Sequence, residues 1–213
     1  MRKFRKLVEQ FQPKHEENSL KGSKSNISRH YDLSNDLFKL FLDETMTYSA
    51  ANFAGTLPDF SGLAEAQRRK IDGILDFAGV KSGMKVLEIG TGWGQLAIQA
   101  AQRGAHIHTI TLSKEQKELA QQRVNSADLA NLVNIELRDY RDVEGEYDAV
   151  VSVEMIEAVG EKYWPTYFEA ISNHLKMGGK FGLQAITMPH DRLLASKHAY
   201  TWIHKYIFPG GII

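Results

Sequence analysis

Gly90, Gly92 and Gly94 alternate directly after the run Val86-Leu-Glu-Ile89, and Gln95 opens a stretch of helical spacing. Glycines at such a break let the backbone turn tightly and let a ligand approach where a Cβ would stand. A strand that breaks into glycines and then a helix is suited to a nucleotide-like group. A dinucleotide fingerprint asks for another glycine three residues after Gly92, where Gln95 stands, and for an acidic residue about 20 residues on. The next apolar run ends instead in Thr109-Ile-Thr-Leu-Ser113. No Gly-Lys-Ser/Thr follows the glycines, which argues against a P-loop. A Gly-x-Gly-x-Gly turn preceded by Glu88 fits S-adenosylmethionine, which has no pyrophosphate to cradle. The competing reading is a tight turn that binds nothing. It leaves unexplained why three glycines, each costly to a strand or helix, stand together.

The elements that must position this turn follow from periodicity. Strands are expected at Lys85–Gly90, His106–Leu112, Asn134–Asp139, Tyr147–Val153 and Lys180–Thr187. Helices are expected at Ser61–Phe77, Gln95–Arg103, Lys114–Ala127, Met155–Val159 and Tyr163–Leu175, with Gly79 and Gly104 as stops. Strand alternating with helix implies parallel pairing and right-handed crossovers, an α/β doubly wound sheet of Rossmann-like type. Ligands in such sheets sit beyond the carboxyl ends of the strands, near Gly90, Thr111, Asp139, Glu154 and Thr187.

The chain has 213 residues, 43% hydrophobic and 24% charged, which suits one globular domain. Formal net charge is zero, so no global field favours nucleic acid. With no cysteine, disulfides, zinc–thiolate sites and thiol nucleophiles are excluded. The histidines show no metal-ligand spacing, and His106 and His108 on one strand face read as structural. No transmembrane run or secretory signal is visible, and a cytoplasmic location is the default. Residues 1–29 form a basic arm and linker, with eight basic against three acidic residues, and Phe4, Leu7, Val8 and Phe11 at helical spacing. Such an arm either lies on an anionic membrane surface or packs its apolar stripe on the domain. Residues 27–57 run from a short helical cover into a loop rich in hydroxyls and aromatics.

Seven segments then stand out: His30-Tyr-Asp-Leu-Ser-Asn-Asp36, Phe41-Leu-Asp-Glu-Thr-Met-Thr-Tyr-Ser49, Leu87-Glu-Ile-Gly-Thr-Gly-Trp-Gly94, Thr111-Leu-Ser-Lys-Glu-Gln116, Asp139-Tyr-Arg-Asp142, Ser152-Val-Glu-Met-Ile-Glu-Ala-Val-Gly160 and Tyr206-Ile-Phe-Pro-Gly-Gly211. In this order they resemble the cyclopropane-fatty-acyl-phospholipid synthases, S-adenosylmethionine-dependent methyltransferases that act on the double bond of an unsaturated acyl chain. The resemblance implies a class I methyltransferase domain over residues 30–213. Tyr31, Tyr48 and Ser49 would close over the cofactor, and Val86 to Gly94, with Glu88, Gly90, Gly92 and Gly94, would hold its methionine part. Thr111, Leu112 and Gln116 would frame ribose and adenine, with Tyr140 and Arg141 beside the adenine. Glu157 would hold a bicarbonate ion that acts as base, and Gln184 stands where many members have a histidine touching that ion. Tyr31, Tyr48, Trp164 or Tyr206 would stabilise a carbocation on the acyl chain. The partner would be unsaturated phospholipid, met by a protein peripheral to the membrane.

Other readings stay open. Ser113 and Gln116 also form a capping box, and Glu154, Glu157 and Glu161 share a helical face of the kind usually solvated. Ala50 and Ala158 replace a cysteine and a histidine common in the family. Members continue past the Phe-Pro-Gly-Gly motif with two further strands and an aromatic segment, whereas here Ile212 and Ile213 follow. The expectation is a sheet lacking its last two strands, in a C-terminally incomplete domain that acts alone, as a homodimer or with a complementing C-terminal chain. A small-molecule N- or O-methyltransferase and a non-catalytic cofactor- or lipid-binding remnant are the alternatives.

Overall fold

A computed structural model describes residues 34–196 and Trp202. The basic arm, Tyr31 and the motif from Tyr206 to Gly211 lie outside the described residues. In chain order the elements are α1 (Asn35–Lys39), α2 (Leu63–Phe77), β1 (Lys85–Ile89), α3 (Gln95–Gln102), β2 (His106–Thr111), α4 (Lys114–Ser126), β3 (Val133–Leu137), β4 (Tyr147–Val153), α5 (Ile156–Val159), α6 (Trp164–His174), β5 (Leu175–Gln184) and α7 (His190–Ser196). Single 3-10 turns stand at Tyr140–Asp142 and Glu161–Tyr163.

The strands form one sheet in the order β3-β2-β1-β4-β5, and every pairing is parallel. This is the doubly wound arrangement expected from the sequence, ending among the described residues at β5 without the two further strands. Both faces are covered, which is why β1 and β4 are apolar almost throughout. Successive residues serve opposite layers. Val86, Ala149 and Val151 join Ile71, Leu75, Leu96 and Val124 from α2, α3 and α4. Leu87, Ile89 and Val150 join Tyr140, Tyr147, Tyr167 and Ile171 on the other side. Alternation places Glu88 on the same side of β1 as Val86, at the strand's carboxyl end. His108 is structural, its Nδ1 2.6 Å from the Tyr147 hydroxyl and its Nε2 3.4 Å from Glu136.

Helices α2 and α3 end in matching motifs. The amides of Gly79 and Val80 bond the carbonyls of Asp76 and Leu75, and those of Gly104 and Ala105 bond Ala101 and Ala100. Both are Schellman closures, which the sequence marks by glycine. Helix α6 begins with Pro165 in its first turn, where a missing N–H costs nothing.

The expected fifth strand, Lys180–Thr187, is displaced. The observed β5 begins at Leu175, directly after α6, and its pairing slips between Tyr147 and Ala149. Regular register runs only from Lys180 to Gln184. The irregular part contains Gly178, at φ 81°, so the Gly178-Gly179 pair marks a bulge inside the strand rather than the turn before it.

Candidate functional site

The order of strands reverses between β1 and β4, and their carboxyl ends open a crevice there. Into it run the glycine turn after β1, the end of β2, the 3-10 turn at Tyr140, Glu154 after β4, and the segment 46–49 from the N-terminal side.

The turn is fixed from below. The amides of Gly90 and Thr91 both donate to the Ile110 carbonyl at 3.0 Å, and the Thr109 hydroxyl donates to that of Thr91 at 2.7 Å. Gly94 caps α3 at φ 88°, where a Cβ would stand 3.0 Å from the Ala120 Cβ. Gly92 is different: a Cβ there would meet nothing within 4 Å, because this glycine borders the open crevice. Trp93 turns away, its Nε1 donating to Asn35 Oδ1 at 2.7 Å and its ring 4.7 Å from that of Phe38. Helix α1 is thereby seated on the turn. Arg123 of α4 completes the anchor, donating to the carbonyls of Trp93 and Thr45 and to Gln95 Oε1 at 2.7–2.9 Å.

Residues 47–52 form a strap across the mouth. From α2, Gln67 Nε2 donates to the carbonyl of Ser49 (2.7 Å), Lys70 Nζ to the Ser49 hydroxyl (2.6 Å) and Arg69 to the Asn52 carbonyl (2.9 Å). From the opposite side Glu154 Oε1 accepts the Ala50 amide at 2.9 Å. Glu154 holds a left-handed backbone, φ 48°, a strained state for a residue with a side chain. Tyr48, half-exposed, packs edge-on against Phe38 and Phe41.

The crevice has two chemically distinct ends. One is walled by Ile110, Leu112, Tyr140, Met155 and Ala158, with the Thr111 hydroxyl 2.8 Å from Gln116 Oε1. Ser113 alone caps α4, its hydroxyl accepting the Gln116 amide at 3.2 Å. Gln116 is therefore turned toward Thr111 and the crevice, and the Ser113 amide donates to the Thr111 hydroxyl at 3.1 Å. Arg141 does not line the crevice. It clasps Asp139 at 2.6 Å and lies 5.2 Å over the Tyr140 ring, bracing that ring from outside.

The other end is charged. Glu88 is buried, and its Oε2 has no hydrogen-bond partner. Burial pushes its pKa up to about 8, and the Thr109 hydroxyl and Lys70 offset only part of that. Lys70, 7% exposed, is pushed down to about 8 by burial, against the pull of Glu154, Glu88 and Asp43. An unpartnered buried carboxylate beside an open glycine fits a cationic, amino-acid-bearing nucleoside. These two features satisfy the requirement that the sequence raised. A test follows from linkage. Between its ordinary value of 4.5 and its raised value, Glu88 is protonated folded but ionised unfolded. Its contribution to stability therefore falls as pH rises through that window. Glu88→Gln is expected to melt higher than the parent chain at pH 8 without ligand, with the gap closing toward pH 4.5. Circular dichroism melts across that range check it, and a gap that does not vary with pH would contradict the assignment.

Glu157 lies one helical step beyond Glu154, on α5. It is buried, with Oε1 accepting the Ile186 amide at 2.5 Å and Oε2 unpartnered. Burial raises its pKa, and the nearby Glu154 adds to this. Gln184 does not bond it. Its Nε2 donates to Glu154 Oε1 at 2.8 Å and to the Ala50 carbonyl at 3.3 Å. Of the expected residues, Tyr48, Ser49, Glu88, Gly90, Gly92, Thr111, Leu112, Gln116 and Tyr140 meet in the crevice. Gly94 shapes it from below, and Glu157 and Gln184 stand apart from its lining.

The sequence does not single out Lys70, Gln67 or Arg123, and it presents Glu154 as a strand tip and as part of a helical face with Glu157 and Glu161 of the kind usually solvated. A signal for the first two existed. Positions 63, 67, 70, 71 and 74 trace one face of α2, so Gln67 and Lys70 interrupt its apolar stripe.

Five parallel strands in this order, a glycine turn after the first and a non-acidic end to the second define the nucleotide-binding half of a class I S-adenosylmethionine-dependent methyltransferase fold. The chain belongs to the mycolic acid cyclopropane synthetase family, whose profile matches residues 18–213. It is 57% identical to the tuberculostearic acid methyltransferase UfaA1 of Mycobacterium tuberculosis, over 99% of this chain and 50% of that protein. It is 40% identical to the cyclopropane-fatty-acyl-phospholipid synthase of Escherichia coli, over 86% of this chain and 45% of that one. The crystal structure of mycolic acid cyclopropane synthase CmaA1 complexed with SAH and CTAB matches with a TM-score of 0.79 at 31% identity, covering 88% of this chain and 68% of that. The chain thus spans about half the length of the curated relatives it matches. Among the described residues, no helix is long and apolar enough to cross a membrane.

Proposed function

We propose that this chain carries the cofactor half of an enzyme that transfers a one-carbon unit from S-adenosylmethionine to the double bond of an unsaturated phospholipid acyl chain. The observation that carries the reading is the buried, proton-hungry Glu157, with one bare carboxylate oxygen, just beyond a crevice that fits the cofactor. When bound, S-adenosylmethionine supplies an electrophilic methyl group. Glu88 would meet its ammonium, the glycine turn its main chain, Thr111 and Gln116 its ribose, and Leu112 and Tyr140 its adenine. Tyr48 and Ser49 would close the strap and exclude water from a poor nucleophile.

Once one carbon of the double bond has taken the methyl group, its neighbour is cationic, and a proton must leave. Glu157 is the chain's base for that step, directly or through a small anion such as bicarbonate held at its free oxygen. A raised pKa suits this role, since a base poised nearer neutrality both accepts and releases protons. Loss of the proton from the added carbon closes a ring, and loss from a neighbouring chain carbon leaves a methyl-branched alkene. The 57% identical relative is named as a methyltransferase and the 40% identical one as a cyclopropane synthase, so both outcomes belong to the reading. The basic arm would hold the chain at an anionic membrane surface.

The experiment is incubation of the full chain with S-adenosylmethionine and vesicles of unsaturated phospholipid, followed by mass spectrometry and proton NMR of the acyl chains. One added CH2 supports the reading, and NMR separates ring from branch. Binding of S-adenosylhomocysteine without product would point to a non-catalytic remnant. Methylation of soluble amines or phenols, with vesicles untouched, would point to a small-molecule methyltransferase.

A further inference from the structure

Lys70 is an unusual residue to find inside a helix–sheet interface. Lysine is almost never fully buried unless paired, yet Lys70 is 7% exposed and forms no ion pair among the described residues. Its ammonium has three donors to place, and one is used, on the Ser49 hydroxyl at 2.6 Å. The side chain lines the charged end of the crevice together with Glu88, Ser49 and Glu154. Glu88 there is the complementary oddity, a buried carboxylate with an unpartnered oxygen. The crevice thus presents an ammonium with donors still to place beside a buried carboxyl group with one bare oxygen, and the carboxylate and ammonium of a zwitterion would meet the two.

We propose that Lys70 receives the α-carboxylate of the amino-acid end of the bound nucleoside, with Ser49 as its relay to the strap. This assignment rests on the cofactor reading above and adds to it a group that selects ligands by their carboxylate. The geometry couples recognition to closure. Ser49 is tied to Lys70 by its hydroxyl and to Gln67 by its carbonyl, so a carboxylate drawn to Lys70 binds under the strap that Tyr48 and Ser49 form. Burial lowers the Lys70 pKa only to about 8, so the ammonium remains mostly charged at neutral pH. Burial also removes the solvent screening that weakens surface pairs.

The test measures binding, not turnover. Calorimetry on the full chain compares S-adenosylhomocysteine with its decarboxylated form, and repeats both on Lys70→Met and Lys70→Arg. In the parent chain the carboxylate-bearing ligand is expected to bind about 10- to 100-fold more tightly, the range of one charge-assisted hydrogen bond. Lys70→Met should erase that preference by weakening S-adenosylhomocysteine while sparing the decarboxylated ligand, and Lys70→Arg should retain part of it. Equal affinity of the parent chain for the two ligands would overturn the proposal without any variant. Equal weakening of both ligands in Lys70→Met would also overturn it, leaving Lys70 as a strut for Ser49 alone. These outcomes are separable from failure of the proposed function, which is read from vesicle lipids and not from ligand preference.

Discussion

Glu157→Gln is expected to lower turnover on unsaturated phospholipid about 100- to 10,000-fold, the span of general-base effects, with affinity for S-adenosylhomocysteine unchanged. Glutamine keeps the shape and can still accept the Ile186 amide, but it cannot take up a proton. Affinity should be spared because Glu157 is not among the residues that line the crevice. The pH profile gives a second signature. Desolvation, reinforced by Glu154, raises the Glu157 pKa above the usual carboxylate value. A base must be ionised to act, so the parent's activity should fall on the acid side at a pH above the ordinary glutamate range. Residual activity of the variant should lack that limb. Equal loss of turnover and cofactor affinity would remove Glu157 from the role of base.

Gly94→Ala is the second large effect, and it falls on stability. The residue sits at φ 88°, where a Cβ costs about 1–2 kcal/mol. Its Cβ would also lie 3.0 Å from the Cβ and 3.3 Å from the Cα of Ala120, a contact that the backbone of α4 cannot easily yield. Overpacking of this kind adds about 1–3 kcal/mol. A total of about 2–5 kcal/mol is a large share of the stability of a typical domain. The melting temperature should fall by roughly 5–15 °C, at a few degrees per kcal/mol for a chain of this size. Gly92→Ala is the matched contrast. At φ 51° with nothing within 4 Å of its Cβ, it should cost about 1 kcal/mol in the melt and show its main effect in cofactor binding. Of two glycines two residues apart, one would then serve packing and the other the ligand.

That division is a fair measure of what the sequence can disclose. The spacing of Gly90, Gly92 and Gly94 announces a tight turn after a strand, since few other uses reward three glycines together. It does not say which of them faces Ala120 and which faces the crevice, because that depends on where α4 crosses. Strands β1 and β4 are legible almost to the residue because burial on both faces leaves runs that are apolar almost throughout. The start of β5 is hidden because a bulge and a turn both call for glycine, and Gly178-Gly179 reads equally as either. The roles of Lys70 and Arg123 are hidden for another reason. A long cationic side chain on a helix normally reaches water, and only packing reveals that these two turn inward. Glu154 lies between these cases, since its place after β4 is readable but its grip on the strap requires the fold.

Ala50 engages its surroundings through its backbone alone, donating its amide to Glu154 and accepting at its carbonyl from Gln184, while the residue itself is exposed. The methyl group takes no part in either contact, and the chain contains no cysteine. A cysteine installed at 50 would be the sole thiol of the molecule, on a peptide unit suspended between the ends of two adjacent strands. A fluorophore attached there becomes a built-in gauge of the strap, able to time its closing in a stopped-flow instrument while every group of the crevice stays native.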